Sequence, residues 1–110
     1  MADVVYRRNR MTFIWDEDKN RLNIKKHNIS FYIAAAVFDD EQRIEFLDPE
    51  HSDDEDRYIT IGLVQDVLTV VYCDRENPRT KELDTRIISA RKATKQEKQA
   101  YNNIISGRFS

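Results

Sequence analysis

The stretch RYITIGLVQDVLTVVYC, Arg57 to Cys73, restricts the fold more than any other part of the chain. Eleven of its seventeen residues are hydrophobic, and most of those are β-branched or aromatic. Such side chains pack well on a pleated surface and lose rotamer freedom in a helix. The interruption at Gln65-Asp66 predicts a tight antiparallel hairpin, so this segment forms the middle of a sheet.

The flanking segments divide between helix and strand. TFIW (Thr12 to Trp15) alternates apolar residues and predicts a short strand. DEDKNRLNIKKHN then places acids in a first helical turn and Lys25, Lys26 and His27 in the last, complementing the helix dipole at both ends. Asp16 suits the N-cap and Asn28 the stop. Ser30 caps a second short helix, FYIAAAVF, whose Phe31, Ala34, Ala35 and Phe38 repeat at core-facing spacing. RIEFLD reads as a strand that Asp48-Pro49 ends, and the acidic PEHSDDED as a loop. LDTRIISA returns as a strand. Thr94 with Glu97 forms a capping box that opens a last helix, with Ala100, Tyr101, Ile104 and Ile105 inward and Lys95 and Lys98 outward.

The expected architecture is α+β: a small antiparallel sheet of about four strands with two N-terminal helices and one C-terminal helix. A chain of 110 residues fits one domain, 1–110, with residues 1–11 either flexible or an extra N-terminal strand. No apolar run is long enough to cross a bilayer and MADVVYRRNR lacks the apolar middle of a signal peptide, so a cytoplasmic protein without membrane contact is expected. The single cysteine, Cys73, lies in an apolar run and reads as core.

The net charge of −2 hides a division. Asp39 to Asp56 holds ten acids and one base, Arg43, whereas the remainder carries 17 Lys/Arg against 10 Asp/Glu. A basic surface for polyanions is compatible with that balance, as is a merely solvated surface. There is no G-x-S-x-G elbow, P-loop, G-x-G-x-x-G or H-E-x-x-H. His51 with its acidic neighbours lacks the glycine of a calcium loop, and neither a metal site nor a cofactor is expected.

Three groups of residues suit chemistry on phosphate. Lys19, Asn23, Lys26 and His27 share one helical face, offering ammonium and amide donors and an imidazole, the side-chain type that moves protons near neutral pH. The same stripe also suits a solvated helix. In RIISARKATKQEKQAY, a regular strand puts Arg86 with Ile88 and Ala90 on one face and Arg91 with Ile87 and Ser89 on the other; Lys92 and Lys95 follow at the helix start. Surface salt bridges to the acidic block are the competing use. Arg57, first in its strand, faces either the acids or the basic surface. Converging, these groups suit RNA cleavage without a metal: the ribose 2′-OH attacks its own phosphate, His27 or Lys26 moves protons, and the arginines stabilise the phosphorane.

WDEDKNRLNIKKHNISF, AAAVFDD, HSDDEDRYITIGLV, LTVVYCD and RIISARKATKQEKQAY, in this order and spacing, resemble the BrnT family, the ribonuclease toxins of type II toxin–antitoxin pairs. The resemblance runs from about Phe13 to Tyr101. It implies a RelE-like fold and RNA cleavage that inhibits translation. It also implies neutralisation by a small BrnA-like ribbon-helix-helix antitoxin, through which alone operator DNA is bound. By position, Lys19, Asn23, Lys26 and His27 match the family's first basic helix, Arg57 the arginine that opens its central strand, and Arg86 with Arg91 its RIISAR block; with Lys92 and Lys95 from the helix start, the expected catalytic residues are Lys26, His27, Arg57, Arg86 and Arg91 and the expected RNA-binding ones Lys19, Asn23, Lys92 and Lys95. Glu97 and Tyr101 also match the family's last helix, but capping and packing already account for them. A non-catalytic co-repressor module that binds nucleic acid or antitoxin is the alternative.

Overall fold

The computed structural model describes residues 3–48 and 56–108. Six strands, β1 (Asp3–Arg8), β2 (Met11–Asp16), β3 (Ile44–Leu47), β4 (Tyr58–Leu63), β5 (Val67–Glu76) and β6 (Leu83–Lys92), form one sheet in the order β1-β2-β6-β5-β4-β3. Helices α1 (Glu17–His27) and α2 (Phe31–Ala36), with the 3₁₀ turn Val37–Asp39, lie between β2 and β3, and α3 (Lys95–Arg108) closes the chain. The class is α+β, but the four-stranded antiparallel, RelE-like sheet is overturned by a six-stranded mixed one.

Two features with weak local signals account for the difference. The β1–β2 hairpin turns on Asn9 and Arg10, both at positive φ (48° and 68°), as a two-residue turn of this hand demands. No glycine marks that turn. β2 then runs parallel to β6 through Phe13↔Thr85 and Ile14↔Arg86, joining segments about seventy residues apart, a pairing that no short-range pattern announces.

The helix boundaries follow their caps. The Asp16 carboxylate accepts from the Asp18 N–H at 2.8 Å, and Asn28 ends α1 in the left-handed region at φ 58°. Ser30 accepts from the Ile33 N–H at 3.2 Å. At α3, the Thr94 N–H donates to Glu97 at 2.8 Å and the Glu97 N–H donates back to the Thr94 hydroxyl at 3.1 Å. Within α3, Tyr101 is buried and Ala100 and Ile105 pack inward, whereas Ile104 is more exposed than expected.

The two faces of the sheet carry separate cores. Phe13, Trp15, Phe31, Val37, Val70 and Ile87 fill the layer beneath α1 and α2, with edge-on contacts such as Trp15 to Phe31 at 5.9 Å. Ile44, Ile61, Ala93 and Tyr101 form a smaller cluster beneath α3. Cys73 is fully buried, as a core residue should be. At Gly62, a Cβ would meet Val37 Cγ1 at 2.8 Å, so glycine is what lets β4 pass beneath the 3₁₀ turn. Among the described residues, no helix is long and apolar enough to cross a membrane.

Candidate active site

α1 is attached to the sheet by amides. Its two buried residues are Asn20 and Asn23. Asn20 Oδ1 accepts the Phe31 N–H at 2.9 Å, linking the two helices. Asn23 Nδ2 donates to the Ala90 carbonyl at 2.8 Å and to the Ile29 carbonyl at 2.9 Å, and its Oδ1 accepts the Ala90 N–H at 3.1 Å. The side-chain amide thus takes the place of a neighbouring strand's peptide group where β2 has left the β6 edge. Asn23 was expected to bind RNA; its amide is already committed within the protein.

This docking leaves the rest of the stripe free. Lys19, Lys26 and His27 are exposed, and none is ion-paired with a described residue. With Leu22 they line one side of a groove of about 210 Å³ whose other side is Ile88 and Ser89 of β6.

β6 is irregular at that point. Tyr72 pairs with Ile87 and Val71 with Ser89, so Ile88 is an extra residue, a β-bulge. The bulge shifts the alternation. Cys73↔Arg86, Val71↔Ser89 and Thr69↔Arg91 are register partners, and residues 69, 71 and 73 of β5 share a face. Arg86, Ser89 and Arg91 therefore emerge on one face, the one that carries α3, rather than on the opposite faces that strict alternation gives. Ile87 and Ala90, three apart, both point into the other core.

Arg57 extends the same pattern. The Asp48 N–H donates to its carbonyl at 2.7 Å, continuing the β3–β4 ladder, and the Tyr58↔Tyr72 register sets Arg57 beside Cys73, whose other neighbour is Arg86. With strands about 4.8 Å apart, the two arginine backbones lie about 10 Å from one another. The Arg57 Nε is buried without a hydrogen-bond partner among the described residues.

The arginines on this face are not equally available. Arg86 meets the Asp3 carboxylate of β1 through two contacts of 3.2 and 3.4 Å. Arg91 grips Glu97 with both arms, at 2.7 and 3.1 Å, while Glu97 also accepts from the Thr69 hydroxyl at 3.1 Å. Burial pushes the Glu97 carboxyl upward, but the hydrogen bonds from Arg91, Thr94 and Thr69 outweigh it and hold the group down at about 2. The same contact raises the Arg91 pKa. Lys92 pairs with Leu68 and so alternates away from Arg91, and Lys95 is exposed on the first turn of α3; neither lines the groove.

The structure thus assembles Lys19, Lys26 and His27 along a groove, and Arg57, Arg86 and Arg91 along an adjoining face, with Ser89 belonging to both. Sequence reasoning missed Leu22, Ile88, Ser89 and Asp3. A leucine on the helical face between Lys19 and Lys26 was a visible signal; the bulge left none. His51 and the acidic residues 49–55 lie outside the described residues. Among those described, no three His, Cys, Asp or Glu side chains gather as metal ligands would.

A comparison with curated proteins returns no match. Over residues 15–97 the chain matches the family described as ribonuclease toxin, BrnT, of type II toxin–antitoxin system.

Proposed function

Since the chain belongs to the BrnT family of ribonuclease toxins, we propose that it is an endoribonuclease that cuts RNA in the α1–β6 groove without a metal ion and thereby inhibits translation. One observation carries this reading: Lys19, Lys26 and His27 stand unpaired by described residues around a groove that shares Ser89 with the arginine face. Unpaired cations retain their attraction for phosphate, whereas paired ones must first be released.

In this mechanism His27, assisted by Lys26, takes the proton of the ribose 2′-OH as that oxygen attacks the adjacent phosphorus. The P–O5′ bond breaks, the Lys26 ammonium gives a proton to the leaving 5′-oxygen, and a 2′,3′-cyclic phosphate remains. Arg86 and Arg57 face the developing charge on the phosphorane oxygens. Lys19 holds the backbone on one side; Lys92 and Lys95 serve RNA further along the surface. Arg91 orders α3 against β6 and acts on the RNA only through that placement. Purified protein incubated with RNA and EDTA should still cleave it and leave 2′,3′-cyclic ends; strict dependence on a divalent ion overturns the mechanism.

A type II pair implies a protein antitoxin. We assign it the ribbon-helix-helix class, cytoplasmic and alone responsible for operator binding. A basic segment of the antitoxin would meet the acidic block. Asp39 is bound to Arg8 at 2.6 Å, Asp40 to Tyr101, and Glu45 to Arg43 at 2.8 Å and to Tyr72. The contact therefore falls to the other acids between Glu41 and Asp56, and neutralising the loop should weaken antitoxin affinity and flatten its salt dependence.

The co-repressor reading gains from the carboxylate partners of Arg86 and Arg91. Induced expression separates the two: a nuclease arrests growth, and a co-repressor is tolerated.

A further inference from the structure

Leu22 is 61% exposed in the middle of a charged helix, because α1 docks through Asn20 and Asn23 and leaves both its apolar residues, Leu22 and Ile24, in solvent; of the two, Leu22 lines the groove. It is not isolated. Across the groove stands Ile88, the residue that the β-bulge inserts into β6, with the Ser89 hydroxyl beside it. Lys19, Lys26 and His27 rim this apolar floor.

A groove of about 210 Å³ that sets two aliphatic side chains, Leu22 and Ile88, among the polar groups of Asn23 and Ser89 and three basic residues fits a flat heteroaromatic group carried on a chain of phosphates. A bare phosphate site has no use for Leu22, and an apolar peptide has none for the lysines. We propose that the groove is a nucleobase subsite. One unpaired base of single-stranded RNA lies between Leu22 and Ile88, Ser89 Oγ bonds its polar edge, and Lys19 and Lys26 hold the flanking phosphates. A duplex is refused, since a paired base cannot turn into the slot. The proposal rests on the nuclease reading of the same groove and adds what that reading lacks, a source of substrate preference.

The test measures binding by fluorescence anisotropy, using the full chain and a five-nucleotide 2′-O-methyl RNA that cannot be cleaved, with an abasic sugar placed at each position in turn. At one position the abasic sugar should weaken wild-type binding about 5- to 150-fold, the range of a single stacked base. Leu22→Ala, an exposed change that leaves the fold intact, should weaken the intact oligonucleotide about fivefold and erase most of the abasic penalty. Ser89→Ala should alter which base binds best at that position. Base-dependent binding by a wild-type protein that never cleaves RNA supports the subsite while removing the nuclease. The subsite is overturned if abasic sugars cost nothing at any position while Lys26→Ala weakens every oligonucleotide equally. It is also overturned if Leu22→Ala spares RNA and weakens only the antitoxin complex.

Discussion

The α1–β6 groove and the β6–α3 junction are built from the same kinds of residue and use them in opposite ways. In the groove, Lys19, Lys26 and His27 have no described carboxylate opposite them, and the apolar surface between them is open. At the junction, Arg91 is held by Glu97, and Glu97 in turn by Thr69 and Thr94, so the guanidinium fork is occupied. A count of cations does not distinguish the two regions. The placement of the nearest carboxylate does, because an ion pair that is already hydrogen-bonded must be broken before either partner can serve a ligand.

The largest expected effect tests the groove. Lys26→Ala with His27→Ala removes both proton-transfer candidates and should lower RNA cleavage by about 10²–10⁴-fold. Because both are exposed, stability should change by less than about 0.5 kcal/mol. Undiminished cleavage by the folded double variant would make the groove a bystander and dissolve the contrast.

Asn23→Ala comes next and acts on the attachment of the groove rather than on its chemistry. The substitution strands the Ala90 N–H and carbonyl and the Ile29 carbonyl, at a total of about 2–4 kcal/mol, read as a shift in denaturant midpoint. Asn23→Asp keeps the acceptor and loses the donor, and should recover only part of that. A cost below about 1 kcal/mol would mean that apolar contacts, not amides, hold α1 on β6.

Arg91→Ala should show the junction to be structural. Glu97 in the folded chain titrates near 2, below its ordinary 4.5, so its contribution is complete above about pH 4.5 and is lost as pH falls toward 2. Screening by solvent reduces that contribution to about 1–2 kcal/mol. Wild-type stability should therefore decline across that acid window. The decline should be shallower in Arg91→Ala and shallower still in Glu97→Gln, where the part that remains comes from Asp39, Asp40 and Glu45, whose carboxyls are also held below their ordinary range. An Arg91→Ala protein with wild-type stability and greatly reduced cleavage would instead place Arg91 against the RNA.

The sequence revealed what is local. Asp16, Ser30 and the Thr94–Glu97 box each announce a helix start through side chains that accept a nearby N–H, Asn28 announces a helix end through the left-handed backbone it tolerates, and Gln65-Asp66 announces the β4–β5 hairpin. The grouping of Lys19, Lys26 and His27 was legible for the same reason, since one helical turn repeats over a few residues. Non-local features were hidden. The parallel β2–β6 pairing, the bulge at Ile88 and the Asp3–Arg86 contact each join segments whose proximity only the folded sheet creates. Strict alternation placed Arg86 and Arg91 on opposite faces, and one inserted residue reversed that.

The smallest effect belongs to Asp3, and it decides which of the two regions Arg86 resembles. Its pair with Arg86 spans 3.2 Å, and Asp3, on the edge strand β1, keeps 48% of its side chain in solvent. Arg86 keeps only 18% of its own side chain in solvent, so the pair is half-buried, and it stabilises the protein by about 1 kcal/mol. Unlike Glu97, Asp3 has no described hydroxyl or capping N–H fixing it, so an incoming phosphate displaces it at little cost. Asp3→Asn should leave stability nearly unchanged and tighten binding of an uncleavable single-stranded RNA a few-fold at low salt. The slope of log affinity against log salt should steepen by about 0.7, the mark of one added phosphate contact on a single strand. An unchanged slope would group Arg86 with Arg91 as a structural cation and leave the RNA surface to α1 and Arg57.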